Sequence, residues 1–169
     1  MSELHTIFNT LYNENVDKIY RFIYLKVNSD DIAKDLTSET FTRIWKSLNN
    51  GQKFDNSRAF AFQIARNLII DHYRGKNKAP VPLSKCSEMS DPSSDIEDRF
   101  QISSDIKEIK IALAGLKHEY REAITLRYVE DMPISEIAKI LGKKQGTVRV
   151  ILHRGLKSLR EIINKNSEN

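Results

Sequence analysis

Hydrophobic residues recur every three or four positions along most of this 169-residue chain, which is the spacing of amphipathic helices. The pattern predicts helices over residues 11–27, 30–48, 58–74, 107–116 and 119–128. Ser29 or Asp30 is placed to cap the second helix, and Asn50 with Gly51 is placed to end it. No stretch alternates apolar and polar residues for long enough to indicate a sheet. The sequence therefore predicts an all-α fold.

Two further helices are predicted between Ile134 and Arg160, on either side of a turn at Gly142. At about 100° per residue, the apolar residues of the second helix share one arc: Ile151, Leu152, Leu156, Leu159, Ile162 and Ile163. The opposite arc is mainly cationic: Arg149, Val150, His153, Arg154, Lys157 and Arg160. Such a helix packs its apolar side on a small core and presents its cationic side to DNA. The pattern predicts a DNA-binding helix-turn-helix.

A cationic helix face is often only a solvated surface, and this is the competing interpretation. However, no acidic residue occurs from Gly142 to Arg160, although 30% of the chain is charged. The absence of acids favours DNA binding over a neutral solvated face.

Charge and proline placement divide the chain into three parts. Residues 1–78 carry a net charge of +3, residues 79–105 of −4 and residues 106–169 of +5. Three of the four prolines, Pro80, Pro82 and Pro92, lie in the acidic part, which has the composition of a flexible linker. We therefore predict two small helical domains, residues 1–78 and 106–169, joined by an acidic linker over residues 79–105.

Composition also bears on the cellular compartment and on enzyme classes. The single cysteine, Cys86, permits neither an intramolecular disulfide nor a cysteine zinc site, and neither an export signal nor a membrane-spanning run is indicated. We expect a cytoplasmic protein. The four histidines lack zinc-ligand spacing, and neither a phosphate-binding loop nor a nucleophile motif is found. We expect no catalysis, no metal and no cofactor.

Three stretches in order carry a family resemblance: DDIAKDLTSETFTRIWKSL at 30–48, SRAFAFQIARNLIIDHYRGKNK at 57–78, and residues 113–160. They make the chain resemble, over essentially its full length, an RNA polymerase sigma factor of the compact extracytoplasmic-function class, which retains only regions 2 and 4. The resemblance implies a region 2 helical bundle and a region 4 helix-turn-helix. It also implies binding to core RNA polymerase through its beta-prime and beta subunits, promoter DNA recognition, and control by an anti-sigma factor. We expect a monomer when the protein is free.

The helix over residues 30–48 has apolar side chains around more than half its circumference, which is more than one core covers: Ile32, Leu36, Phe41, Ile44, Trp45 and Leu48. The resemblance implies that it binds a coiled coil of the beta-prime subunit. The candidate residues for this contact are Asp35, Glu39, Thr42, Trp45 and Lys46. The alternative is that Asp35 and Glu39 are only favoured by the helix dipole.

The helix from Arg58 mixes aromatic with cationic residues, a combination that a single-stranded nucleic-acid site uses for stacking and phosphate binding. The aromatics could also be core. The resemblance implies that this helix and residues 50–57 capture the non-template strand of the −10 element. The candidates are Asn56, Arg58, Phe60, Arg66, Asn67 and Arg74, with Phe60 as a wedge or packing residue. Phe60 and Ala61 stand where the family commonly has Trp-Leu, a departure that bears on strand melting and pocket shape.

In region 4, the resemblance places −35 contacts on the N-terminal half of the second helix. The residues selected for base contact are Arg149, Val150, His153 and Arg154, and those nearer the DNA backbone are Lys144, Gln145, Thr147 and Lys157. Many relatives have Ser-Arg where this chain has Val150 and Ile151. Valine cannot donate a hydrogen bond but can contact a thymine methyl group, so we expect an altered −35 specificity.

Two alternatives stay open at this point. The same helix-turn-helix occurs in free-standing transcription regulators, which would select DNA without core polymerase. The acidic linker could be a simple tether, or it could enter polymerase channels otherwise taken by RNA, as the resemblance implies.

Overall fold

The computed structural model describes residues 2–27, 29–75 and 103–168, and every regular element in these ranges is helical. They form two compact units, one within residues 2–75 and one within residues 103–168. The all-α prediction is confirmed. The helices are α1 (Glu3–Tyr24), α2 (Asp30–Asn49), α3 (Ser57–Gly75), α4 (Ser104–Ala114), α5 (His118–Ile124) with a π-helical turn (Thr125–Val129), α6 (Ile134–Leu141) and α7 (Gln145–Ser167).

The first unit is a three-helix bundle in which α1, α2 and α3 each pack against the other two. Its centre is aromatic: Phe22 and Phe62 meet edge to face with ring centroids 5.3 Å apart. Phe41 from α2 is also fully buried. Burying a phenylalanine side chain contributes about 1.5–3 kcal/mol, so these three rings are a major part of the unit's stability.

Helix α1 begins at Glu3, eight residues before the predicted start at Leu11. The added turns carry Phe8, whose ring lies against Trp45 of α2 with centroids 5.2 Å apart. Tyr12 contacts Phe41 in the same way at 4.8 Å. The prediction missed that Leu4, Ile7 and Phe8 continue the apolar spacing back from Leu11, and the ring contacts of Phe8 hold these turns against α2.

Hydrogen bonds from two tyrosine hydroxyls connect helix ends in the first unit. Tyr20 donates a hydrogen bond to a carboxylate oxygen of Asp30 at the start of α2. Burial, reinforced by this bond to an anion, raises the pKa of Tyr20 well above its ordinary value. Tyr73, near the end of α3, donates to the backbone carbonyl of Lys26.

The predicted cap of α2 is confirmed at Ser29, whose hydroxyl accepts from the Ile32 N–H at 3.3 Å.

In the second unit, α4, α5 and α6 pack against the long helix α7. Leu126, Met132, Ile137 and Val148 are fully buried between them. Helix α4 starts at Ser104, three residues before the predicted start, because the Ser103 hydroxyl caps it by accepting from the Ile106 N–H at 3.3 Å. The predicted linker, residues 79–105, otherwise lies outside the described residues, as do Cys86, Lys76 and Lys78.

The helix predicted over residues 119–128 is α-helical only to Ile124. It then widens into the π-helical turn, in which the Glu130 N–H donates to the Thr125 carbonyl five residues back. The Thr125 hydroxyl donates to the Arg121 carbonyl at 2.7 Å, a back-bond that bends helices.

Helix α7 is buried over its first half more than over its second. Val148, Ile151, Leu152 and Gly155 are buried, whereas Ile163 is 48% exposed. The predicted apolar arc is therefore right at Ile151 and Leu152 and wrong at Ile163, while its other members, Leu156, Leu159 and Ile162, are half-buried. In the residues that the structure describes, no helix has both the length and the apolar character needed to cross a membrane.

Gly155 allows α7 to approach α5 closely. A methyl group at this position would lie 3.1 Å from Cβ of Tyr120 and 3.0 Å from Cδ1 of Ile124, both tighter than normal contacts. The Ile124 methyl can rotate away, but Cβ of Tyr120 is attached directly to the backbone of α5. A side chain at this position would therefore force the two helices apart.

We predict opposite effects for two glycine-to-alanine changes in α7. Gly155→Ala should lower the free energy of unfolding by about 1 kcal/mol, because overpacking outweighs the gain in helix propensity. Gly146→Ala should raise it by about 0.5–1 kcal/mol, since no atom lies within 4 Å of an added methyl group. Urea denaturation followed by circular dichroism measures both. Stabilisation by Gly155→Ala equal to that by Gly146→Ala would show that the helices separate without cost.

Candidate nucleic-acid interface

The cationic side of α7 is open to solvent along the whole of the predicted face. The buried positions Val148, Ile151 and Leu152 lie on the opposite side of the helix. Val150 is 47% exposed, which is unusual for valine and leaves its methyl groups available for contact. All eight predicted residues are exposed: Lys144, Gln145, Thr147, Arg149, Val150, His153, Arg154 and Lys157.

The turn between α6 and α7 sets the direction in which this face points. Gly142 adopts the left-handed conformation with φ of 64°, which glycine reaches without strain, as the sequence predicts. The Lys143 N–H donates to the Ala138 carbonyl at 3.0 Å and closes the end of α6. Lys144 then precedes α7, and its carbonyl accepts from the Val148 N–H at 3.1 Å. The first turn of α7 contains no acid, so its N-terminus keeps a positive potential.

Helix α3 presents three of its predicted residues along one line. Phe60, Asn67 and Arg74 are spaced by seven residues, which places them within an arc of about 40°. Asn67 and Arg74 are exposed and Phe60 is half-buried. This stripe lies opposite the buried positions, listed here: Ala61, Phe62, Ala65, Leu68 and Ile69.

The other candidates in this region lie elsewhere. Arg58 and Arg66 are half-buried and lie off the stripe: Arg58 falls on the side of α3 that carries the buried positions, and Arg66 falls between that side and the stripe. Both interact with neighbouring groups. The aromatic Phe62 belongs to the core, as the competing interpretation of the aromatics held. The structure thus assembles half of the predicted −10 residues into one surface.

Asn56 has a structural role that the sequence analysis missed. Its side-chain oxygen accepts from the Ala59 N–H at 3.0 Å, and its carbonyl accepts from the Phe60 N–H at 3.1 Å, so it caps α3. The signal was present, since an asparagine directly before a helical period is a cap residue. Phe54, in the loop before it, stacks on Phe60 and was also missed.

Helix α2 places four of its five predicted residues on one stripe. Asp35, Glu39, Thr42 and Lys46 fall within an arc of about 60°, opposite the buried side of the helix. Glu39 forms an ion pair with Arg43 at 3.0 Å, and the Thr42 hydroxyl donates to the Ser38 carbonyl at 3.0 Å.

Trp45, the fifth, lies on the flank of this stripe. It is half-buried against α1, where its ring centroid is 4.8 Å from that of His5. As the apolar arc predicts, one core does not cover all of α2: Phe41, Ile44 and Leu48 are buried, whereas Ile32, Leu36 and Trp45 are only half-buried. Helix α1 covers Phe41 and part of Trp45.

Comparison with known proteins matches both units. Residues 11–79 match the family model for Sigma-70 region 2, and residues 106–159 match the model for Sigma-70, region 4. The ECF RNA polymerase sigma factor SigW of Bacillus subtilis (strain 168) is 30% identical over 157 residues, which cover 86% of this chain and 82% of SigW. The chain belongs to the family of ECF RNA polymerase sigma factors.

Other relatives agree with this family. The ECF sigma factor SigE of Mycolicibacterium smegmatis is 32% identical over 165 residues, and the match covers 95% of this chain but 63% of SigE. The chain therefore spans less than two thirds of the length of that relative. In a crystal structure with the anti-sigma factor NepR, the sigma factor RpoE from Bartonella quintana shares the fold. Its TM-score is 0.71 at 22% identity, over 93% of this chain and 96% of that one.

Within the ECF family, the three-helix unit corresponds to region 2 and the α4–α7 unit to region 4. The region 2 match begins at Leu11, so the first two turns of α1, which carry His5 and Phe8, precede it. The region 4 match ends at Leu159, so the last two turns of α7 follow it.

Asn56→Ala should destabilise region 2 by about 1 kcal/mol, because Ala59 loses its capping acceptor. Asn56→Asp should retain stability, since an aspartate side chain caps equally well and suits the positive end of the helix. Urea denaturation followed by circular dichroism measures the difference. Equal stability of Asn56→Ala and the wild type would show that the cap is dispensable, and any DNA-binding defect of Asn56→Ala would then be direct.

Proposed function

We propose that this chain binds core RNA polymerase and directs it to promoters through −10 and −35 elements, without catalysis of its own. The observation that carries the proposal is the open cationic face of α7, on a region 4 unit joined in one chain to a region 2 unit. The proposed site of action is the cytoplasm, where the two proposed partners, core polymerase and promoter DNA, are found. The same face would also serve a free-standing regulator, so the test below includes core polymerase as a variable.

In region 4, α7 is proposed to enter the major groove at the −35 element. Its N-terminal half carries the base-reading candidates Arg149, Val150, His153 and Arg154, while Lys157 lies one turn further along. Lys144, Gln145 and Thr147 surround the helix N-terminus, where the helix dipole favours a phosphate group. Arginine reads guanine by two hydrogen bonds, and an exposed valine contacts a thymine methyl group.

In region 2, the stripe of Phe60, Asn67 and Arg74 is proposed to meet the non-template strand of the −10 element. It combines a ring for stacking, an amide for base edges and a cation for phosphate. Arg58 and Arg66, which lie off the stripe, are proposed to reach the strand with their long side chains. Asn56 is proposed to act chiefly by fixing the start of α3.

The polymerase contact is proposed for the Asp35, Glu39, Thr42 and Lys46 stripe of α2, with Trp45 on its flank. The stripe carries both acids and a cation, and its neighbours Trp45 and Phe8 provide apolar surface. A polar stripe bordered by half-exposed aromatic residues is a common composition for a protein interface.

An anti-sigma factor is a further proposed partner. RpoE of Bartonella quintana was crystallised with the anti-sigma factor NepR, and a solved structure shows CnrH, which shares the fold, in complex with the cytosolic domain of CnrY. We propose that this chain is controlled in the same way and is a monomer when free.

In vitro transcription from a library of upstream sequences tests the function. With sigma-free core polymerase and this protein, initiation should occur from templates that share a paired −10 and −35 motif. Without the protein, the same core should show no such selection. Tight, salt-sensitive binding to duplex DNA without core, together with no initiation, would instead establish a free-standing regulator.

Val150→Ser should change the −35 base preference. Loss of the valine methyl groups should reduce preference for a thymine at one position by about 1 kcal/mol, the size of one apolar methyl contact, while the hydroxyl allows other bases. The measurement is the −35 sequence selected from the same library.

Ile163→Ser is the matched control, because Ile163 is an exposed apolar residue on the same helix. Val148→Ser does not serve, because Val148 is buried. Identical preferences for Val150→Ser and wild type would remove Val150 from base reading.

A further inference from the structure

Trp45, on the flank of the proposed polymerase stripe, contacts two rings from the start of α1. The centroid of its ring lies 4.8 Å from that of His5, with the ring planes inclined by 56°. Its distance to the Phe8 centroid is 5.2 Å, in an edge-to-face arrangement. Both distances lie within the range of about 4.5–7 Å that favourable ring pairs adopt. The first two turns of α1 therefore restrict the half-buried indole.

The two rings of α1 differ in what else they contact. Phe8 is half-buried and also meets Tyr12 and Phe41, with centroids 6.1 Å and 6.4 Å away, so it is part of the packing between α1 and α2. His5 is exposed. Substitution of an exposed side chain usually changes stability little. The contact of His5 with Trp45 is therefore not needed to hold the bundle together.

Ser2 orients the imidazole of His5. Its Oγ shares a hydrogen bond with Nδ1 of His5, and the two atoms are 2.6 Å apart. Ser2 is also the N-cap residue of α1, where a serine hydroxyl usually accepts from a backbone N–H. Here the hydroxyl makes no such bond, and only the Ser2 carbonyl accepts, from the N–H groups of His5 and Thr6 at 3.1 and 3.4 Å. The hydroxyl is thus directed to a side chain instead of the helix end.

Order in the indole matters because of where Trp45 lies. It follows Thr42 by about one turn and directly precedes Lys46, so it borders the polymerase stripe. Tryptophan is among the residues that contribute most to binding at protein interfaces. A side chain that is already held in its bound orientation loses less conformational entropy when the partner arrives. A contact that restricts Trp45 should therefore strengthen binding without touching the partner.

We propose that His5 is a positioning residue for polymerase binding. Hydrogen-bonded to Ser2, it holds the indole of Trp45 in the orientation that core polymerase contacts, and it acts through Trp45 alone. This assignment rests on the proposed polymerase contact of α2. It adds to that contact the first turn of α1, which precedes the residues that match Sigma-70 region 2.

A double-mutant cycle on affinity for sigma-free core polymerase tests the assignment. The full-length proteins are wild type, His5→Ala, Trp45→Leu and the double variant. His5→Phe keeps a ring beside the indole, and Thr6→Ala, at the neighbouring exposed position, is the matched control. Binding is measured under conditions in which urea denaturation shows every variant to be folded.

His5→Ala should weaken core binding about fivefold, the size expected when one large side chain must be ordered on binding. Its urea midpoint should stay close to that of wild type. In the Trp45→Leu background, His5→Ala should have no further effect. His5→Phe and Thr6→Ala should bind like wild type. Ser2→Ala should weaken binding by a smaller factor, since the ring remains but loses its hydrogen bond.

Wild-type affinity of His5→Ala would overturn the assignment. An equal loss in the Trp45→Leu background would overturn it as well, because His5 would then act independently of the indole. Unchanged affinity of Trp45→Leu would have the same consequence, since it removes Trp45 from the contact. Failure of the wild type to bind core would overturn the proposed function itself, whereas the other three results leave that function standing.

Discussion

The edge-to-face contact between Phe22 and Phe62 fixes the rotation of α3 about its own axis, and the candidate −10 surface depends on that rotation. With Phe62 directed into the core, positions 60, 67 and 74 must face solvent, because a helix cannot bury both sides in a three-helix unit. A rotation of α3 by one residue, about 100°, would bury Phe60 and expose core alanines instead. The core contact therefore determines which side chains DNA can reach.

In region 4 as well, a close contact between two helices determines which side of the long helix is exposed. Close approach of α5 to α7 at Gly155 allows Val148, Ile151 and Leu152 to share one small core, and this leaves the cationic side of α7 uncovered. The left-handed turn at Gly142 then connects α6 to α7. In both regions, a short apolar contact line orients a long polar surface.

Periodicity alone was sufficient for much of this organisation. The stop at Gly51, the turn at Gly142 and the exposed face of α7 follow from local residue preferences, which a single sequence expresses directly. The early start of α1 was readable in the same way, because Leu4, Ile7 and Phe8 continue its apolar spacing, but its contacts with Trp45 and Phe41 on another helix were not. The π-helical turn and the stack of Phe54 on Phe60 depend on packing between segments, which residue spacing does not reveal.

Trp45 is the only tryptophan of the chain, and it stands where α1 and α2 meet, beside the proposed polymerase stripe. Its indole is half-buried and lies against an imidazole, a group that quenches indole emission when protonated. The fluorescence of Trp45 therefore reports on that surface. A partner that covers α2 will change the emission wavelength and intensity of this tryptophan, so its binding can be followed without a label on the chain.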